Sequence, residues 1–148
     1  MNWDILKPYF SKTENWGNPD MIKWYHLKLL YDIRHSLELE GFKWPMVIHC
    51  SYDTFGHSDG SYHYSGEATD FHFKTPCPLH IQTQILSDTI KKLGYENYTG
   101  IGVYPEWNTP GFHIDSRGFQ ISWIQKAHYG SDGYIYIPIN SILKILNA

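Results

Sequence analysis

The apolar residues change their period along this chain, and the order of the change limits the folds open to it. Trp24, Leu27, Leu30, Ile33 and Leu37 recur at helical spacing behind Asn18-Pro19-Asp20, where the asparagine can cap and the proline can take the first helical position. The spacing predicts a helix reaching about Glu40, stopped by Gly41, with Pro45 and the short β-branched run Met46-Val47-Ile48 after it. Residues 68–74 alternate as a strand does, and Thr75-Pro76-Cys77-Pro78 breaks them. Ile81, Ile85, Ile90 and Leu93 then predict a second helix ending at Gly94. Beyond it, runs at 101–104, 112–115, 121–125 and 134–137 are separated by Pro, Gly and Asn clusters and read as an antiparallel meander. Ile142, Leu143, Ile145 and Leu146 suffice for a short closing helix over 140–146. Helices early and strands late predict the α+β class. The length of 148 residues predicts a single domain, 1–148, and we find no internal repeat.

Composition narrows the partners. A net charge of -3 without a Lys/Arg cluster provides no electrostatic footprint for nucleic acid or an anionic membrane, so neither is expected, and the chain is read as a monomer. The first ten residues contain Asp4, Lys7 and Pro8 and lack an apolar core, so they read as neither signal peptide nor membrane span; cytoplasmic synthesis is the expectation. Cys50 and Cys77 can pair or stay free, and spacing does not decide between them.

Nine histidines raise the question of which converge. His26, His35, His80 and His128 read as surface or hydrogen-bonded core residues, whereas His49, His57 and His72 lie near the informative segments. Residues 51–66 are rich in Ser, Gly, Asp, His and Tyr without period, a long surface loop of the kind that carries function. His63 in this loop leads into Asp70 on the following strand. Imidazole and carboxylate both suit zinc, whose catalytic sites take three protein ligands and keep one position open. His113 can supply the third from a neighbouring strand, and period-2 alternation sets Asp115 on the same face, about 6–7 Å along it.

The pattern Ser61-x-His63-x-x-Gly66-x-Ala68-x-Asp70 resembles the first metal motif of the D-Ala-D-Ala metallopeptidases, a group structurally related to lysostaphin-type endopeptidases and the hedgehog signalling domain. Gly100-Ile101-Gly102-Val103-Tyr104-Pro105, followed by Phe112-x-His113-x-Asp115-x-Arg117, resembles the second motif of a short single-domain branch found in bacteria and their phages. Phe10-Ser11 with Glu14 is similar to that branch's opening. The resemblance implies a small antiparallel sheet with helices packed on one face, one Zn²⁺ per chain on His63, Asp70 and His113, and hydrolysis of peptidoglycan stem or cross-bridge peptides. With no export signal, it also implies a phage or prophage lysis protein.

The chain departs from that family in two places. No acid stands in the three residues before His113, so Asp115 and Glu106 are the candidate general bases, with orienting His113 or pairing with Arg117 as the other role for Asp115. Arg117, Tyr104, His57, His49 and His72 are the candidates for substrate contact or oxyanion stabilisation. The arginine many relatives carry before the first motif is replaced here by Asp53, in Cys50-Ser51-Tyr52-Asp53. An acid there repels a substrate's C-terminal carboxylate, which favours an endopeptidase over a D,D-carboxypeptidase. Two other readings stand beside the enzyme: a non-catalytic zinc-containing binding module of the same fold, and an iron site built on His113-x-Asp115 with His128.

Overall fold

Asn18 caps as its position predicts, its side chain accepting from the Asp20 amide, but the turn it starts is a short 3₁₀ segment, Pro19–Met21. Ile22 and Lys23 are extended, and the Lys23 amide donates to the Gly66 carbonyl at 2.9 Å. The long helix α1 therefore begins later than the proline suggests, at Trp24, and runs to Leu39. Gly41, at φ 88°, ends it, and the Phe42 amide returns to the Leu37 carbonyl.

These features come from a computed structural model that describes residues 2–127 and 133–148. The remaining elements are β1 (Met46–Cys50), β2 (Ala68–Phe73), α2 (Leu79–Lys92), β3 (Gly100–Tyr104), β4 (Gly111–Asp115), β5 (Ile121–Gln125), β6 (Tyr134–Tyr136) and α3 (Ile139–Asn147). The class is α+β, with the helices packed on one face of the sheet. Among the described residues the strand order is β1-β2-β4-β3-β5-β6. The antiparallel meander needs correcting, because β5 pairs with β3 in parallel and the sheet is mixed. After β4 the chain crosses β3 through residues 116–120, where the Gly118 amide donates to the Tyr98 carbonyl, instead of turning tightly back. Among the described residues no helix is long and apolar enough to cross a membrane.

Alternation assigns the two faces of the sheet. Phe71, Phe73, Ile101, Val103, Phe112, Ile114 and Ile124 are buried against Leu27, Leu30, Ile33 and Leu37 of α1 and Leu86 and Ile90 of α2. Each fully buried side chain of this size contributes about 1.5–3 kcal/mol relative to exposure. One face thus holds the strands in register, and the opposite face is free to carry polar groups. Inside the core, His26 is fully buried and bridges the layers, its ring nitrogens meeting Ser116 Oγ at 2.9 Å and Thr69 Oγ1 at 2.8 Å. Burial lowers its pKa to about 3, so it is neutral in the fold, as a hydrogen-bonded core residue should be.

Candidate metal centre

On the polar face one row crosses the sheet from edge to edge. Register sets Cys50 opposite Asp70, Asp70 opposite His113, His113 opposite Gly102, Gly102 opposite Trp123, and Trp123 opposite Tyr136. Asp70 and His113 were legible as candidate ligands from their motifs, but their direct pairing across β2 and β4 is a property of the register. Two glycines of β3 make the row possible. A Cβ at Gly102 would stand 2.5 Å from the Trp123 ring, and one at Gly100 would stand 2.6 Å from Asp115 Oδ1. The glycines let a tryptophan and a carboxylate lie flat across the strand.

His63 reaches the row from outside the sheet. It sits in the 3₁₀ turn Tyr62–Ser65, which Ser61 caps by accepting from the His63 amide and which Gly66 ends at φ 72°. His63 Nδ1 donates to the Ser51 carbonyl at 2.6 Å, which leaves Nε2 as the nitrogen that faces Asp70 Oδ1, at 3.3 Å. His113 Nδ1 meets the same Asp70 oxygen at 2.8 Å. On its far side His113 Nε2 donates to Asp115 Oδ2 at 2.7 Å. Both imidazoles are therefore fixed from behind by an acceptor, the arrangement that orients histidine ligands at metal sites.

The donor atoms of His63, Asp70 and His113 all lie within 4.8 Å of one another and can hold a metal ion. Two ligands about 2.0–2.1 Å from one zinc, at the tetrahedral angle, stand roughly 3.3–3.4 Å apart. The His63–Asp70 separation already has that value, and the His113–Asp70 separation needs only a small opening. The electrostatics agree. Burial acts to raise the Asp70 carboxyl, but hydrogen bonds from His113 and His63 outweigh it and hold the group far below the ordinary carboxylate range. Burial acts to lower His113, yet its bonds to Asp115 and Asp70 carry it up to about 9. The proton it holds between two carboxylates is the position a cation competes for.

Other expected residues fall in different places. Asp115 has no exposed surface and both its oxygens are occupied: Oδ2 takes His113 Nε2 and Arg117 Nη2, and Oδ1 takes Arg117 Nε at 2.8 Å. Burial would raise this carboxyl, but the Arg117 and His113 bonds hold it well below its usual value. Of its two candidate roles, the geometry is that of the group orienting His113. Arg117 is turned onto Asp115 and lies over the ring of Tyr62 at 4.7 Å and that of Trp123 at 5.3 Å. Glu106 is exposed and accepts from the Ala127 amide at 3.1 Å, outside the cleft. Because Asp115 bonds the rear nitrogen of His113, these two do not present donors to one point as an iron site on His113-x-Asp115 requires; His128 lies outside the described residues. Tyr104 and His57 do line the cleft, which encloses about 500 Å³. The Tyr104 hydroxyl accepts from Trp123 Nε1 at 3.0 Å, its ring stacks on Trp107 at 4.3 Å, and burial pushes its phenol up so that it stays protonated. His49 and His72 form a pair of their own, 2.6 Å apart.

Three residues stand at the site in places the sequence reading did not give them. Asp53 does not stand free to repel a substrate; its Oδ2 meets His57 Nε2 at 2.6 Å, and the His57 ring stacks on His63 with centroids 4.0 Å apart. The i,i+4 spacing of Asp53 and His57 was the available signal. Cys50 Sγ lies 3.3 Å from Asp70 Oδ2 because a bulge after Ile48 shifts the register by one residue. Cys50 and Cys77 are both free and half-buried. Trp123, buried and standing between Gly102 and Tyr136, was read only as a strand residue. Compared with known proteins, the chain matches no family model, no curated protein and no solved structure.

Proposed function

We propose that this chain is a zinc-dependent peptide hydrolase that cuts inside peptidoglycan stem or cross-bridge peptides, in the manner of the D-Ala-D-Ala metallopeptidases its motifs resemble. The observation that carries the reading is the orientation of His63 and His113. The rear nitrogen of each is tied to an acceptor, and their front nitrogens converge with Asp70 at the floor of a cleft. Bound there, zinc supplies Lewis acidity to polarise a carbonyl and brings water to a pKa near 7.

The chain's own residues provide the rest. Tyr104 lines the cleft, is held by Trp123 and stays protonated; it is the neutral donor this reading assigns to the oxyanion, and loss of such a donor costs about 10²–10³ in rate. The rings of Tyr104, Trp107, Trp123 and Tyr136 wall the cleft and limit water. With Asp115 engaged and Glu106 outside, His57 backed by Asp53 is the group bordering His63 that can carry a proton. Endopeptidase specificity is supported by Arg117, two of whose nitrogens are committed to Asp115 and so are not offered to a substrate carboxylate. No nucleic acid, membrane or second copy is needed in this reading.

The same placement of Asp115 and Glu106 also favours a second reading, a zinc-containing binding module without catalysis. One experiment separates the two. Zinc-loaded protein is incubated with a cross-linked muropeptide dimer and with a pentapeptide monomer, and products are followed by mass spectrometry with and without chelator. Chelator-sensitive cleavage of the dimer supports the endopeptidase. Binding without cleavage supports the module, and release of terminal D-alanine from the monomer refutes the endopeptidase assignment.

A further inference from the structure

Asp70 has two oxygens, and only one faces the histidines. Oδ1 meets His63 and His113, whereas Oδ2 is turned toward Cys50 Sγ, 3.3 Å away. Beyond Cys50 lie Asp53 and His57, and the donor atoms of Cys50, Asp53, His57 and His63 are all within 4.8 Å of one another. His63 has one nitrogen to offer a metal, since its Nδ1 is bound to the Ser51 carbonyl, and that nitrogen, Nε2, lies 3.3 Å from Asp70 Oδ1. Once His63 is assigned to the first ion, a thiol, a carboxylate and an imidazole remain grouped around Cys50.

We propose that Cys50, Asp53 and His57 form a second cation seat beside the first, with Cys50 as the member that touches Asp70. This rests on the reading of His63, Asp70 and His113 as the first metal site. A thiolate, an imidazole and a carboxylate oxygen are a donor set that suits zinc. The three residues are half-buried and His57 lines the cleft, so an ion reaches them from solvent. The hydrogen that His57 and Asp53 share at 2.6 Å gives way to the ion, as the one between His113 and Asp70 does at the first seat. The Cys50 thiol releases its proton to become a ligand. Occupation of the second seat also removes His57 as a proton carrier, so the one-ion and two-ion forms differ chemically.

The test is a cobalt(II) titration of the metal-free full chain, followed by optical absorption and by metal analysis. The expected result is about two equivalents, with a near-ultraviolet thiolate-to-cobalt band; Cys50→Ser removes the band and one equivalent, while His113→Ala removes the other. Circular dichroism checks that both variants fold. X-ray absorption on the wild-type zinc form provides a readout free of mutation, a sulfur scatterer at about 2.3 Å. One equivalent without a thiolate band, lost in His113→Ala, overturns the second seat and leaves the first intact. One equivalent that carries the band and survives His113→Ala overturns both, because the metal then sits on Cys50, Asp53, His57 and His63 alone.

Discussion

Truncating Arg117 separates a role in holding the site from a role in holding substrate. Asp115 has no exposed surface and accepts three hydrogen bonds, two from Arg117 at 2.8 and 2.7 Å and one from His113 at 2.7 Å. Arg117→Ala removes two of the three and leaves a carboxylate without solvent. Breaking a buried ion pair from one side costs about 3–5 kcal/mol, and protonation of Asp115 sets the cost toward the lower end. In a domain of this length each kcal/mol lowers the melting temperature by roughly 2–4 °C, so a loss of at least about 6 °C is expected. Asp115→Asn in the Arg117→Ala background removes the stranded charge, and the double variant should recover part of the loss, with a coupling of about 1–3 kcal/mol. Urea unfolding followed by circular dichroism in the presence of chelator measures this without a metal contribution to stability. A melting temperature within 2 °C of wild type for Arg117→Ala (about 1 kcal/mol or less) refutes the reasoning, and a large loss of substrate affinity in that same stable variant would assign Arg117 to the substrate.

Three further outcomes follow from the same geometry. His26 has a folded pKa of about 3 against roughly 6.5 unfolded, so its stabilising contribution is complete above 6.5 and is lost as pH falls toward 3, by up to about 1.4 kcal/mol per pH unit; the slope between pH 6.5 and 4.5 should be shallower in His26→Gln, and equal slopes in urea titrations would contradict the burial argument. His63→Ala and His113→Ala should each lose the first zinc equivalent by metal analysis while keeping most of their secondary structure, and full retention of zinc by both would remove the assignment. Gly102→Ala sets a methyl 2.5 Å from the Trp123 ring and should destabilise by about 1–3 kcal/mol in thermal unfolding while disturbing the Trp123–Tyr104 bond; an unchanged melting temperature would mean that the indole has room to move.

The sequence by itself determined what depends on neighbours along the chain. Helical spacing placed α1 and α2, Gly41 and Gly94 marked their ends, and alternation set Asp70 apart from Phe71 and His113 apart from Ile114, because backbone geometry alone sends successive side chains of a strand to opposite faces. The helix start was misread at Pro19 because the Lys23 bond to Gly66 comes from a loop 43 residues away, which no local signal reports. The meander failed for the same reason: nothing in residues 116–120 says that β5 will pair with β3 in parallel. At the site the distinction is finer. Alternation correctly set Asp115 on the face of His113, and from that alone it read either as a base sharing the cleft or as the group orienting His113. Only the tertiary structure turned the His113 ring so that its rear nitrogen meets Asp115 and its front nitrogen meets Asp70, and only the bulge in β1 brought Cys50 opposite Asp70. A strand's period fixes which side a group is on, whereas its ring orientation and cross-strand partner are set by packing and register among segments far apart in the chain.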